Sequence, residues 1–202
     1  MNPASCSTEK TQIYSPDPQL GIAGVNLYFG DIKETNLDLI YRWKNDFYLN
    51  DLVIAPPFPV SYSAVQQWLQ DNQKDRNQVL FGVFDKDSNE LLGIARLMFI
   101  DWIGRTADLG LYIGEPQYRG KKLGIEIVNT ILTYGFERLN LRKLSLRVLE
   151  SNIPAVKCYE SCGFTREGCL VNHYWINGSY HNALLMSVFS DHFQAGQRQS
   201  TR

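Results

Sequence analysis

The 202-residue chain has almost no net charge. Its 20 Lys and Arg stand against 21 Asp and Glu, a formal −1. Bulk electrostatics therefore give it no pull toward nucleic acid. No apolar run reaches the roughly eighteen residues that a membrane-spanning helix needs, so no membrane partner is expected. Cysteine is scarce: Cys6, Cys158, Cys162 and Cys169. Cys158 and Cys162 share one face of a helix candidate, but no second pair and no histidine stands at ligand spacing, so no metal site is expected. They read as free thiols of a reducing compartment, the cytoplasm. The opening residues lack a charged-then-apolar leader. Also missing are Gly-x-x-x-x-Gly-Lys-Ser/Thr and Gly-x-Gly-x-x-Gly, which excludes a P-loop and the dinucleotide fingerprint.

What is present is enough apolar residue, 44%, for one real core. The expected organisation is a flexible lead-in at 1–20, a single domain at 21–193 and a polar tail at 194–202. Val25–Phe29 alternates as a first strand, and Leu37–Asn45 has helical spacing behind Thr35 or Asn36. Asp46–Val60, with Pro56, Pro57 and Pro59, reads as a packed irregular loop. Ser61 or Ser63 opens a second helix. Val79–Phe84 and Leu91–Ile100 form a hairpin around Asp85–Glu90, and Thr106–Gly114 adds a third strand. A helix follows to about Leu139, then a strand at Lys143–Leu149, which implies a right-handed parallel crossover. Pro154–Ser161 is a short helix capped by Ser151 or Asn152. Phe164–Trp175 and Asn182–Phe189 flank Asn177-Gly178, a strong hairpin turn. The fold class is α+β, with α/β-like character and a mixed sheet.

The stretch that carries most chemistry is Gln117-Tyr-Arg119-Gly120-Lys121-Lys122-Leu123-Gly124. It lies between a strand and a helix N-terminus, where unpaired N–H groups and the helix dipole favour an anion. Gly120 and Gly124 allow close approach, and the basic residues add charge. A solvated cap would look much the same; a phosphate or pyrophosphate is the guest that fits.

Two motifs then resemble the GNAT superfamily of acetyl-CoA-dependent N-acetyltransferases, in the branch that includes ribosomal-protein N-terminal, spermidine and amino-sugar acetyltransferases. The first is Gln117–Gly124, similar to the family's Gln/Arg-x-x-Gly-x-Gly/Ala loop. The second is Asn152-Ile-Pro-Ala155-Val-Lys-Cys-Tyr159-Glu160-Ser-Cys-Gly163-Phe164. Lys122 stands where the family has a small residue. The resemblance implies a mostly antiparallel central sheet flanked by helices, with a splayed strand pair at the cofactor site. It implies that acetyl-CoA is bound by Leu111, Tyr112 and Ile113, by Gln117, by the turn Arg119, Gly120, Lys121, Lys122, Leu123 and Gly124, and by Asn152 and Tyr159. Tyr159 is the expected general acid toward the leaving thiolate, and Asp108 the expected general base. His173 is a second candidate base. Asn152 can equally be a plain helix cap.

The implied activity is direct transfer of acetyl to a primary amine, without an acetyl-enzyme. A catalytically silent acyl-CoA sensor is the alternative. The acceptor wall is expected from Trp43, Phe58, Tyr174 and Trp175, whose aromatic faces favour a protein N-terminus or an amino sugar over a polyamine or antibiotic amine. Among partners, a small-molecule amine or a protein N-terminus is expected, with the chain a monomer or homodimer.

Overall fold

The computed structural model describes residues 22–193, so the expected lead-in, Cys6 and the tail lie outside the described residues. Eight strands form one sheet: β1 (Ile22–Ala23), β2 (Leu27–Gly30), β3 (Val79–Asp85), β4 (Leu91–Asp101), β5 (Thr106–Ile113), β6 (Lys143–Leu149), β7 (Thr165–Ile176) and β8 (Ser179–Phe189). Their order is β1-β2-β3-β4-β5-β6-β8-β7. Every neighbour pair is antiparallel except β5 and β6, joined in parallel through the crossover helix α4 (Leu123–Thr133). The other helices are α1 (Leu37–Lys44), α2 (Phe47–Leu52), α3 (Tyr62–Lys74) and α5 (Ile153–Ser161).

The alternation of β5 sorts two cores. Ala107 and Leu109 face α4 and α5, in a cluster with Leu97, Ile127, Val128, Ile131, Val156 and Phe164. Tyr112 faces the other way, into a cluster with Ile40, Trp43, Val65, Leu69 and Ile94 beneath α1 and α3. The sheet is thus covered on both sides.

Three elements differ from the sequence reading. Val25 is not in a strand; it lies in the turn between β1 and β2 and is 80% exposed, because the chain doubles back there. The irregular Asp46–Val60 segment contains α2, started by Asp46, whose carboxylate accepts from Leu49 N at 3.1 Å. Asn45 closes that segment: its side chain donates to Val60 O at 3.0 Å and accepts from Val60 N at 2.9 Å. The crossover helix is not α-helical to Leu139. It passes into a π-helical turn over Tyr134–Arg138, where Leu139 N bonds back to Tyr134 O. The cap of α3 agrees with that reading: of the two serines it offered, Ser61 accepts from Ala64 N.

Candidate active site

β5 and β6 separate. They pair at Thr106, Ala107 and Asp108 with Lys143, Leu144 and Ser145, and at no residue beyond. From Leu109 to Ile113, the main chain of β5 on its β6 side has no strand partner, while β6 stays paired to β8 along its whole length. Buried or half-buried N–H and C=O groups left open in this way call for a partner of their own. Asp108 is the last residue before the fork.

The mouth of the fork leads to the basic turn. Gly120 has φ +76° and Lys122 φ +62°, so two left-handed residues bend the chain into a concave run of amides. The N–H groups of Gly120, Lys121, Lys122, Leu123 and Gly124 have no acceptor among the described residues. A Cβ at Gly120 would meet nothing within 4 Å, so the cradle is open to solvent. Lys122 takes the left-handed conformation itself, with its side chain exposed. That is how the turn accommodates a residue larger than the expected one.

Arg119 departs from expectation. Its amide is used by Pro116 O at 3.0 Å, inside the short turn Pro116–Tyr118 that contains Gln117. Its guanidinium folds back and donates to Ile113 O at 2.9 Å and Gly114 O at 2.6 Å. The amide is taken, and two of the five guanidinium N–H donors fix the end of β5 against the turn. Sequence reasoning missed this because a basic residue in a phosphate-loop pattern reads as a ligand.

Tyr159 lies on α5, packed into the same layer as Leu111, Ile113 and Leu123, with its ring edge-on to Phe164 at 5.6 Å. Its hydroxyl makes no hydrogen bond among the described residues, so the donor is spare. Burial, with the neighbouring cysteine thiols, pushes its pKa well above that of a free phenol and keeps it protonated. Asn152 caps α5, its Oδ1 accepting from Ala155 N at 3.3 Å. Cys158 lies beneath the turn: a Cβ on Gly124 would sit 3.3 Å from its sulfur. Hydrogen bonding between Cys158 and Cys162 favours the Cys158 thiolate and holds Cys162 protonated.

Asp108 faces the opposite side of the sheet, with Met98 and Ser145 as its neighbours across the strands. Burial raises its pKa, against a smaller lowering by Arg147. His173 is exposed on β7, its ring against Tyr174 at 4.7 Å.

The aromatic wall is only partly a wall. Trp43 is 4% exposed; its indole donates to Glu115 Oε1 at 3.1 Å and stacks edge-on against Tyr112 at 5.8 Å. It is a buried support behind Gly114, where a Cβ would lie 2.0 Å from its ring, and not a surface for a substrate. Phe58 is 71% exposed and Trp175 62%, with Trp175 against Tyr180 and Tyr174 half-buried beside His173. The two stretches do meet: Asn177, at the tip of the β7–β8 turn, donates to Asp51 of α2 at 2.6 Å. Among the described residues no group of three or more His, Cys, Asp and Glu could hold a metal, and no helix is long and apolar enough to cross a membrane.

A forked parallel pair beside an amide cradle is the arrangement the sequence motifs anticipate, and residues 26–165 match the family model described as "Acetyltransferase (GNAT) domain". The chain belongs to the GNAT acetyltransferase family. It is an acetyl-CoA-dependent N-acetyltransferase, with acetyl-CoA as co-substrate. Spermidine N(1)-acetyltransferase of Vibrio cholerae is 30% identical over 80% of this chain and 92% of its own length. The Escherichia coli K12 enzyme of that name is 37% identical over 52% of this chain and 56% of its own. The crystal structure of the Vibrio cholerae spermidine N-acetyltransferase in complex with CoA and spermine superposes with a TM-score of 0.79 at 28% identity, covering 84% of this chain and 98% of that one.

Proposed function

We propose that this GNAT enzyme transfers acetyl directly from the thioester to the primary amine of a small molecule. Asp108 takes the proton that the amine must lose, through a water where its short side chain falls short, and Tyr159 protonates the departing sulfur. The main chain of Leu111, Tyr112 and Ile113, less the Ile113 carbonyl that Arg119 holds, binds the pantetheine arm, and the amides of Gly120 to Gly124 bind the pyrophosphate. The observation that carries this reading is the fork ending at Asp108, with the unpaired N–H groups of Gly120 to Gly124 at its mouth. A silent sensor needs neither a spare phenol donor nor a raised carboxylate beside the gap.

For the acceptor, the names of the relatives favour a polyamine over the peptide N-terminus or amino sugar that the aromatic residues pointed to. Spermidine is the first acceptor to try. A dodecameric structure of the Vibrio cholerae enzyme supports a larger assembly than the monomer or homodimer expected from the sequence, which light scattering measures directly. A cytoplasmic setting fits the free thiols of Cys158, Cys162 and Cys169.

The test is thiol release from acetyl-CoA across a panel of amines, with Tyr159→Phe alongside. Turnover that the variant loses while still binding CoA supports the reading. CoA binding with silence across the whole panel favours the sensor.

A further inference from the structure

Asp108 shares its side of the sheet with an unusual neighbour. Paired residues on adjacent antiparallel strands point the same way, so Met98 and Arg96 of β4 face the same side as Asp108 and Gly110 of β5. Gly110 leaves room, and Arg96 lies across it: a Cβ there would be 3.0 Å from Arg96 Nε. The guanidinium is desolvated enough to lower its pKa. Facing it is Lys44, at the end of α1, with Nζ 3.9 Å from the centre of the Trp68 ring on α3. Burial and the nearby Arg96 hold the Lys44 ammonium down to about 8.

Among the described residues, neither cation has an ion pair or a side-chain hydrogen bond. Two desolvated like charges without a counter-ion oppose folding unless something offsets them. A cleft of about 520 Å³ opens beside Arg96, lined by Trp68, Asn72, Gln78, Arg96 and Met98, a size suited to a small molecule; Lys44 adjoins it through the Trp68 ring. The carboxylate on its lining, Asp75, stands at the exposed rim and accepts from Asn77 N at 2.8 Å. The interior charge of the cleft is the Arg96 guanidinium and its carboxylate is Asp75 at the rim, a poor match for the several positive charges of a polyamine.

We propose that the acceptor is an amine that also carries an anionic group, a carboxylate or a phosphate, held by Arg96 and Lys44 while its amine reaches Asp108. The inference rests on the acetyl-transfer reading of Asp108 and replaces the free polyamine with an anion-bearing amine. Met98 lies opposite Asp108, and Arg96 is the next residue along that face, so amine and anion sit roughly 5–8 Å apart. A short ω-amino acid or an aminoalkyl phosphate spans that distance. The guanidinium forks onto either anion, and the amides of Asn72 and Gln78 supply further donors.

The experiment compares 4-aminobutanoate and 3-aminopropyl phosphate with 1,4-diaminobutane and spermidine, in the wild type and in Arg96→Gln and Lys44→Gln. The wild type is expected to favour one of the anionic amines over the diamine by about 10-fold or more in kcat/KM, and Arg96→Gln to cut that ratio by about 10-fold, mainly through KM. Lys44→Gln cuts it less. The carboxylate and phosphate arms separate the two anions. A wild-type preference for the diamine or spermidine that Arg96→Gln leaves unaltered overturns the proposal.

A second arm needs no turnover: inorganic phosphate and 4-aminobutanoate are titrated while Trp68 fluorescence is followed, with Trp68→Phe to assign the signal. A saturable change lost in Arg96→Gln is expected, and its absence overturns the anion site. Anion binding that leaves a diamine preference intact overturns the assignment to the substrate. CoA titrated in parallel keeps the two failures apart: no CoA uptake sinks the transferase reading and the acceptor proposal with it, whereas CoA uptake with no anion effect at Arg96 sinks the acceptor proposal alone.

Discussion

The two sides of the sheet are built on different principles. On the α4 and α5 side the core is aliphatic, and the polar groups on offer are main-chain amides at the fork and the turn. On the α1 and α3 side, aromatic rings, a buried indole hydrogen bond and desolvated charges line the sheet. On the reading proposed above, main-chain amides take the part shared by every acyl-CoA, and side chains brought together from distant elements take the acceptor. The contrast teaches that one sheet can offer main-chain donors on one side and side-chain charge on the other.

That comparison can be broken at its ends and at its seam. The largest effect is expected from Tyr159→Phe, which removes the spare donor on the first side. kcat should fall by about 10²-fold or more, roughly 3 kcal/mol of barrier, while isothermal titration shows CoA affinity kept. A variant with unimpaired turnover removes Tyr159 from the mechanism.

Asp108→Asn tests the other side, with an expected loss of about 10²-fold in kcat. It also has a pH signature. The base must be ionised, and burial raises its pKa, so wild-type activity climbs with pH through a limb above the ordinary carboxylate range, and the variant lacks that limb. For stability the sign is opposite. Between the unfolded and the folded pKa the native state holds the proton, so this group's contribution is present at low pH and lost as pH rises through the folded value. At neutral pH Asp108→Asn should therefore raise Tm while lowering activity; a lower Tm contradicts the burial argument.

Gly114→Ala strikes the seam. The new methyl meets the Trp43 ring, and about 2 kcal/mol of stability should be lost in urea denaturation. A smaller effect, about 1 kcal/mol, is expected for Glu126→Gln. Glu126, in the first turn of α4, accepts from Asn26 N at 2.7 Å, Asn26 Nδ2 at 2.9 Å and Leu27 N at 3.2 Å, and so ties the first hairpin to the donor-side helix. An unchanged unfolding midpoint would show those bonds to be replaced by water.

The two sides were also unequally legible in the sequence. Strand alternation in β5, the Asn177-Gly178 turn and the Ser61 cap are local signals, and each stands where its residues place it. The cradle was legible because one contiguous run, Gln117 to Gly124, carries it from the end of a strand to the start of a helix. The acceptor side was not. Arg96 and Lys44 are far apart in the chain, and only the docking of α1 and α3 on the sheet brings Lys44 near Arg96, over the Trp68 ring at the cleft. Trp43 read as a substrate surface because an aromatic near a loop looks exposed until Gly114 is seen to leave it a socket. Helix α2 was hidden by the prolines that follow it, and Arg119 by its place in a phosphate-loop pattern.

The contact between Asp51 and Asn177 bears on synthesis. It closes a loop of 126 residues. β7 touches the sheet only through β8, which is made after it. A ribosome that has just released β7 therefore exposes a strand with no neighbour and an α2 with no latch, although the amide cradle is already complete. The turn at Gly120–Gly124 and the cleft at Arg96 are both made before that point, and only the Trp175 face of the β7–β8 hairpin and its contact with α2 wait for the last strand, so a truncation before Ser179 leaves a chain with turn and cleft but without that face.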